Sequence, residues 1–154
     1  MDAHEAVAEV WRTQRAKLWR SLVAFSGDPE LASDSMSEAF AQALGREAAL
    51  VTPERWIWRT AFRIATGELA DRGRRRQAIA SSIDSITMAE PIVDLVTALR
   101  TLSPNQRAVA VLRLYADMPT REVARVLGCT PATVRVHLAQ ARRRLRPLLE
   151  DDDD

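Results

Sequence analysis

The side chains best suited to chemistry lie near the C-terminal end of the chain. Thr133, Arg135, Val136, His137 and Gln140 fall on or beside the outer face of an expected helix, and Arg142, Arg143, Arg144 and Arg146 follow directly. Such groups read and hold polyanions. An arginine fork matches the two acceptors of a guanine edge, a glutamine amide matches adenine, and a threonine or valine methyl packs on a thymine methyl. Each good bidentate pair contributes about 1–3 kcal/mol of discrimination. Arginines flanking the face meet phosphates, which adds affinity without reading sequence. Other chemistry has no residues to carry it. The single cysteine, Cys129, excludes an internal disulfide framework, and His4 and His137 offer no metal-ligand spacing. No nucleophile sits with a base and no glycine loop cradles a phosphate. An enzyme, a metal site and a cofactor are therefore not expected.

Two helices must position this face. Thr120 is a good N-cap for a helix over 121–127, and Gly128 suits the left-handed position that ends it. Thr130 caps the next helix, with Pro131 at its first position, where no amide donor is needed. A turn so short makes the pair a helix-turn-helix. Val134, Leu138, Ala141 and Leu145 recur at i, i+4, i+7, i+11 and are expected to pack inward. A helical hairpin with solvated arginines is the plainer alternative. Cys129 is read as a small turn residue, and His137 either as an edge residue or as a pH-sensitive phosphate contact.

Charge supports a polyanion partner. The net charge of +1 hides an uneven distribution. Residues 1–76 carry 12 basic and 11 acidic groups, and residues 77–99 carry three acids and no base. Residues 100–149 carry ten arginines against Asp117 and Glu122, a net of +8, and Glu150 to Asp154 are all acidic. A basic block of that density suggests a polyanion partner, and a solvated arginine face is the equally open alternative. No apolar run approaches the ~20 residues of a membrane span, and the N-terminus has no basic signal character. The expected compartment is the cytoplasm.

The remaining pattern is all-α. Val7, Trp11, Leu18, Leu22 and Phe25 mark a first helix over about 4–25, with Trp11 and Trp19 expected in the core. Asp28 and Pro29 start a second helix that buries Leu31, Met36, Phe40 and Leu44. After a loop over 45–53, a third helix carries Ile57, Ala61, Ile64 and Leu69 and ends in Arg72, Arg74, Arg75 and Arg76. Trp58 and Phe62, at i and i+4, are expected to pack together rather than stack on bases. Helices over about 92–101 and from Ser103-Pro104 to about Ala116 follow. This divides the chain into a helical domain over 1–76, an acidic linker over 77–91, a helix-turn-helix domain over 92–149 and an acidic tail over 150–154.

The run Leu102-Ser103-Pro104-Asn105-Gln106-Arg107, continued by Arg121-Glu122-Val123-Ala124, Leu127-Gly128, Thr133-Val134-Arg135, Ala141-Arg142 and Leu145, resembles region four of bacterial sigma factors. The match is to the extracytoplasmic-function (ECF) group especially, and response regulators carry a related motif. Residues 1–76 show no receiver-like alternation of strand and helix. Ala32 to Phe40 resembles the region-two helix that docks on the polymerase clamp, and Trp56 to Ala61 resembles the start of the helix that faces the minus-ten element. The resemblance implies a protein that binds core RNA polymerase, at the clamp and flap, and gives it promoter choice. It implies clamp contacts at Asp34, Ser37, Glu38 and Phe40. Region-two DNA contacts are implied at Trp56, Arg59, Arg63, Arg72, Arg74, Arg75 and Arg76. Region-four contacts are implied at Thr130, Pro131, Thr133, Arg135, Val136, His137, Gln140, Arg143 and Arg144. An anti-sigma protein is a further implied partner, and the free chain is expected to be a monomer. Departures from the family pattern are Ser37 for Gln, Arg63 for Asn, Gly67 for Asp, His137 for Arg, and a 45–53 loop without an aromatic. They leave a regulator of sigma fold that does not open promoters as the competing reading.

Overall fold

The structure, a computed structural model, describes residues 2–46, 51–76 and 90–150, with the side chains of 74–76, 90–94 and 149–150 excepted. Most of the 77–91 linker, the centre of the 45–53 loop, residues 151–154 of the tail and the side chains of Arg74, Arg75 and Arg76 lie outside the described residues. Among the described residues every regular element is helical.

Helix α1 (Ala3–Ser26) opens with a capping box. The Asp2 carboxylate accepts the Glu5 amide at 2.8 Å, and Glu5 accepts the Asp2 amide at 3.3 Å. It ends at Gly27, whose φ of 71° is the left-handed conformation a glycine adopts without a Cβ penalty. Asp28 then caps α2 (Pro29–Leu44), accepting the amides of Glu30 and Leu31. Burial pushes the Asp28 carboxyl up, but the guanidinium of Arg72 and those two amides outweigh it and hold the carboxyl below its ordinary value. Helix α3 (Pro53–Arg76) lies across both, and its Arg72 ion pair ties its far end to the α1–α2 corner.

The second half begins with α4 (Glu90–Arg100), which already includes Glu90 and Pro91 of the expected linker. Helix α5 (Pro104–Ala110) starts from a capping box between Ser103 and Gln106, as the Ser-Pro signal suggests. It does not run on as an α-helix. Val111–Tyr115 form a π-helical turn, closed by the Ala116 amide on the Val111 carbonyl and the Met118 amide on the Leu112 carbonyl. Insertions of this kind are usually confined to one turn. This one leaves Leu114 and Tyr115 exposed and feeds a short non-helical segment, with Asp117 left-handed, into α6 (Thr120–Leu127). The N-cap of α6 is therefore Pro119, with no side-chain cap, and Thr120 is already helical. Gly128, φ 71°, ends α6, and α7 (Pro131–Glu150) completes the fold.

One buried cluster runs through both halves. Leu18, Leu22, Phe25, Leu31, Ile57 and Phe62 fill the first, and Val109, Val111, Leu112, Val123 and Val134 fill the second. Each such leucine or phenylalanine contributes about 1.5–3 kcal/mol by leaving water. Trp58 stacks on Phe62 with ring centroids 6.3 Å apart and donates its indole N–H to Gln14 at 2.8 Å, so it belongs to the core as its spacing suggested. Two expectations are corrected. Trp11 is 37% exposed and only leans its edge on Phe40, and Leu44 is 45% exposed at the end of α2. Leu44 is the last residue of α2, where the packed layer ends, whereas Trp11 lies within α1 with one edge on Phe40 and Arg15 over its ring.

The halves meet at two joints. At the first, α3 packs on α6, and Arg55 grips Glu122 with Nε–Oε2 and Nη2–Oε1 distances of 3.0 Å. At the second, Arg107 donates to the carbonyls of Leu99, Leu102 and Phe25 and lies over the Phe25 ring. Burial holds the Arg107 guanidinium below its usual pKa, with Arg100 adding repulsion. Gly27 fits this joint because a Cβ there would approach Arg100 Nη2 to 2.7 Å and Val96 Cγ1 to 3.2 Å.

Candidate nucleic-acid interface

The recognition face forms because α7 has one stripe locked inward. Val134, Leu138, Ala141 and Leu145 are buried against α5 and α6, as their spacing predicted. That leaves Ala132, Arg135, Val136, Ala139, Arg142, Arg143 and Arg146 exposed, with Val136 55% exposed. An exposed valine between arginines suits a groove that offers both methyl groups and acceptors. Thr130 caps the helix: its hydroxyl accepts the Thr133 amide at 3.2 Å and lies 2.9 Å from the Thr133 hydroxyl. The sequence placed both threonines at the interface, and the structure spends their hydroxyls on the helix start. His137 is half-buried, and its Nδ1 has no hydrogen-bond partner among the described residues.

Two expected base or phosphate contacts are engaged within the protein. The Gln140 side-chain oxygen accepts from Gln106 Nε2 at 3.1 Å. Arg144 Nη1 donates to the Thr101 carbonyl at 3.1 Å. Both sit one turn apart on the edge of α7 that faces the α4–α5 turn. Arg121 and Arg125, which the sequence reading did not single out, gather with Arg135 and Pro131 around a groove of about 520 Å³ between α6 and the start of α7. Their signal was available: the first helix of a helix-turn-helix crosses the DNA backbone, so its exposed arginines face phosphate. Arg125 also bonds Glu122 at 2.9 Å. Glu122 is thus held between two arginines, and Arg55 first, then Arg125, keep its carboxyl below the ordinary range. Burial pushes the Cys129 thiol up, which suits an unreactive turn residue.

The α3 residues are less exposed as a set. Arg59 and Arg63 are exposed, Trp56 is half-buried under Arg46, and Arg72 is held by Asp28. The Arg59 guanidinium comes within 3.9 Å of where a Cβ on Gly128 would stand, so this arginine lies beside the helix-turn-helix turn. On α2, Asp34, Ser37 and Glu38 share an exposed face. Phe40 does not belong to it: at 6% exposure it is packed beneath that face against Trp11, because its phase on α2 points to the core. Among the described residues no group of His, Cys, Asp and Glu is arranged to hold a metal ion, and no helix is long and apolar enough to cross a membrane.

An all-helical chain whose C-terminal helix-turn-helix presents a basic face defines a DNA-binding protein class, and comparison narrows it. Residues 92–145 match the family model "Sigma-70, region 4". The chain is 30% identical over 161 residues to the RNA polymerase sigma-E factor of Streptomyces antibioticus, covering 94% of this chain and 85% of that protein. It is 26% identical over 162 residues to the probable ECF RNA polymerase sigma factor SigI of Mycobacterium tuberculosis, and spans 56% of the length of that longer relative. Two solved structures share the fold. One is the sigma factor RpoE in complex with the anti-sigma factor NepR from Bartonella quintana, with a TM-score of 0.80, 20% identity, and coverage of 93% of this chain and 96% of that one. The other is CnrH in complex with the cytosolic domain of CnrY, with a TM-score of 0.73, 19% identity, and coverage of 97% and 96%. The chain belongs to the ECF group of RNA polymerase sigma factors.

Proposed function

We propose that this protein binds core RNA polymerase, at the clamp and the flap, and directs promoter recognition and transcription initiation, catalysing nothing itself. The observation that carries the reading is the outward face of α7, where Arg135, Val136, Arg142, Arg143 and Arg146 are exposed on a helix whose opposite stripe is locked in a helix-turn-helix core. In this reading the first turns of α7 meet base edges of the minus-thirty-five element, and the later arginines meet phosphates. The α3 arginines, with Trp56, serve the minus-ten element. Asp34, Ser37 and Glu38 serve the clamp, with Phe40 supporting them from below. The likeness in fold to a sigma factor held by an anti-sigma protein supports a partner of that kind here. The free chain acts as a monomer in the cytoplasm, where the polymerase is.

Elements 25 base pairs apart are separated by roughly 85 Å at ~3.4 Å per base pair. In the packed chain Arg59 of α3 stands within 3.9 Å of where a Cβ on Gly128 would lie, so the two proposed DNA faces are side by side. The packed halves therefore have to part at the α3–α6 and α1–α4 joints before both elements are read at once. The test is co-purification with core RNA polymerase, followed by run-off transcription on candidate promoters. Polymerase binding with specific transcripts is the expected result. DNA binding without polymerase binding would overturn it and leave a helix-turn-helix regulator that does not open promoters.

A further inference from the structure

The 101–106 turn reaches the recognition helix through one side chain whose orientation is fixed by its own cap. Gln106 is 9% exposed and completes the capping box of α5: its Oε1 accepts the Ser103 amide at 3.2 Å. An amide whose oxygen is committed to an N–H offers its nitrogen to the next partner, and that partner has to accept. The next partner is Gln140, whose Oε1 lies 3.1 Å from Gln106 Nε2. The relay from Ser103 through Gln106 therefore assigns the Gln140 amide without reference to DNA. Its oxygen points into the protein, and the NH2 is the group left for solvent.

Adenine recognition by glutamine needs the amide nitrogen and oxygen together, one donating to N7 and one accepting from N6. The relay holds that oxygen toward Gln106, and although its second lone pair is free, the amide is fixed with its NH2 as the outward group. Gln140 is also the tenth residue of α7, beyond the N-terminal turns that meet base edges. It lies on the helix edge beside Arg143 and Arg144. We propose that Gln140 is a donor-only contact to a DNA phosphate, held in that orientation by Gln106 as a positioning residue, and is not an adenine reader. This rests on the DNA-binding reading above and narrows it: α7 reads bases with Arg135 and Val136 and uses Gln140 to fix its depth and register on the backbone.

The informative variant is Gln106→Glu. A glutamate at this place still accepts the Ser103 amide, and Ser-x-x-Glu is the capping box in its most familiar form. It cannot donate to Gln140, so the Gln140 amide turns over and presents its oxygen to the phosphate. Binding is measured for core RNA polymerase loaded with the full chain. The probes are a duplex selected by that complex from a random pool and a panel carrying each single base change in the selected element. Gln140→Ala is expected to weaken every duplex in the panel by the same factor, about tenfold for one bond to a charged acceptor. Gln106→Glu is expected to lose as much with an unchanged thermal midpoint, and Gln106→Glu with Gln140→Ala to be no weaker than Gln140→Ala alone. Gln140→Glu, a surface change that only replaces donor by acceptor, is expected to lose more than Gln140→Ala. Loss of preference at a single A·T pair in Gln140→Ala would overturn the proposal, as would wild-type affinity in Gln106→Glu. Failure of the wild-type complex to select any duplex would instead refute the DNA-binding reading itself, and this proposal with it.

Discussion

Replacing Arg55 by glutamate should open the joint between the two halves. The Arg55–Glu122 pair has two parallel bonds of 3.0 Å, and both side chains are about a third exposed, at 35% and 32%. Solvent screening at that exposure limits an ordinary surface pair to about 0.2–1 kcal/mol, and the bidentate geometry sets this one near the upper end. Losing it shifts the closed–open balance about fivefold. Arg55→Glu adds two carboxylates face to face, partly offset because Arg125 still holds Glu122 at 2.9 Å. The total comes to about 2 kcal/mol, or a roughly thirtyfold shift. The second joint, built on main-chain carbonyls around Arg107, does not depend on this charge and stays closed longer.

The assay is single-molecule energy transfer in the free chain, with dyes on cysteines at the exposed Ala41 and Leu148 positions and Cys129 replaced by serine. Wild type should give mainly the compact distribution, Arg55→Glu a large low-transfer population, and Arg55→Glu with Glu122→Arg a return to the compact one. Acid should act in the same direction. The Glu122 carboxyl is held below its ordinary value of 4.5, so its contribution is complete above that value and is lost as pH falls through the depressed one. Identical distributions for wild type and Arg55→Glu at low salt would refute the reasoning, as would a charge swap that fails to close the joint.

Three further outcomes follow from single sites. Gly128→Ala should cost about 1–2 kcal/mol for its left-handed backbone alone, since a Cβ there would make only an ordinary contact with Arg59 Nη2 at 3.9 Å, whereas Gly27→Ala should lower the thermal midpoint further because Val96 Cγ1 cannot swing away as the Arg100 tip can. Asp28→Ala should lose about 1 kcal/mol of cap plus the Arg72 ion pair at neutral pH, and the deficit should shrink as pH falls below 3.8 through the depressed folded value, where the wild-type carboxyl is itself protonated. In DNA binding, Arg135→Ala should relax preference at one base pair by about 1–3 kcal/mol, while Arg143→Ala should weaken all sequences alike and reduce the salt slope by about one.

What the sequence made legible was local. Asp28-Pro29, Ser103-Pro104, Thr130-Pro131 and Gly128 declare helix starts and stops through their own side chains or backbone freedom, and each stands where it was expected. The inward stripe of α7 is equally local, since four apolar residues at helical spacing share one face whatever packs there. Thr120 failed as a cap because the start of α6 is decided upstream. The π turn at Val111–Tyr115 and the left-handed Asp117, φ 55°, set where the chain re-enters a helix, and neither has a sequence signature. Leu44 failed because a periodic stripe says which face is apolar and not where the opposing layer ends, and Trp11 because it sits at the edge of the buried stripe formed by Val7, Val10 and Leu18. The joints were invisible for a simpler reason: Arg55 and Glu122 are 67 residues apart, and Arg107 and Phe25 are 82 apart.

The same limit applies to the charge count. Ten arginines between residues 100 and 149 read as one basic block, but tertiary structure gives them different work. Arg107 is spent on three carbonyls, Arg125 on Glu122, Arg144 on Thr101, and Arg113 approaches Asp117 at 4.0 Å. Arg100 stands over Gly27 at the second joint. Only Arg107 and Arg113 are half-buried; Arg100, Arg125 and Arg144 stay exposed while making these contacts, and Arg121, Arg135, Arg142, Arg143 and Arg146 are exposed as well. Arg121 and Arg135 line the groove at the head of α7, while Arg142, Arg143 and Arg146 follow its later turns. The proposed reading uses that division, with Arg135 at the head of α7 for base edges and Arg142, Arg143 and Arg146 along its later turns for phosphate, while the half-buried Arg107 ties α5 to the first half of the chain.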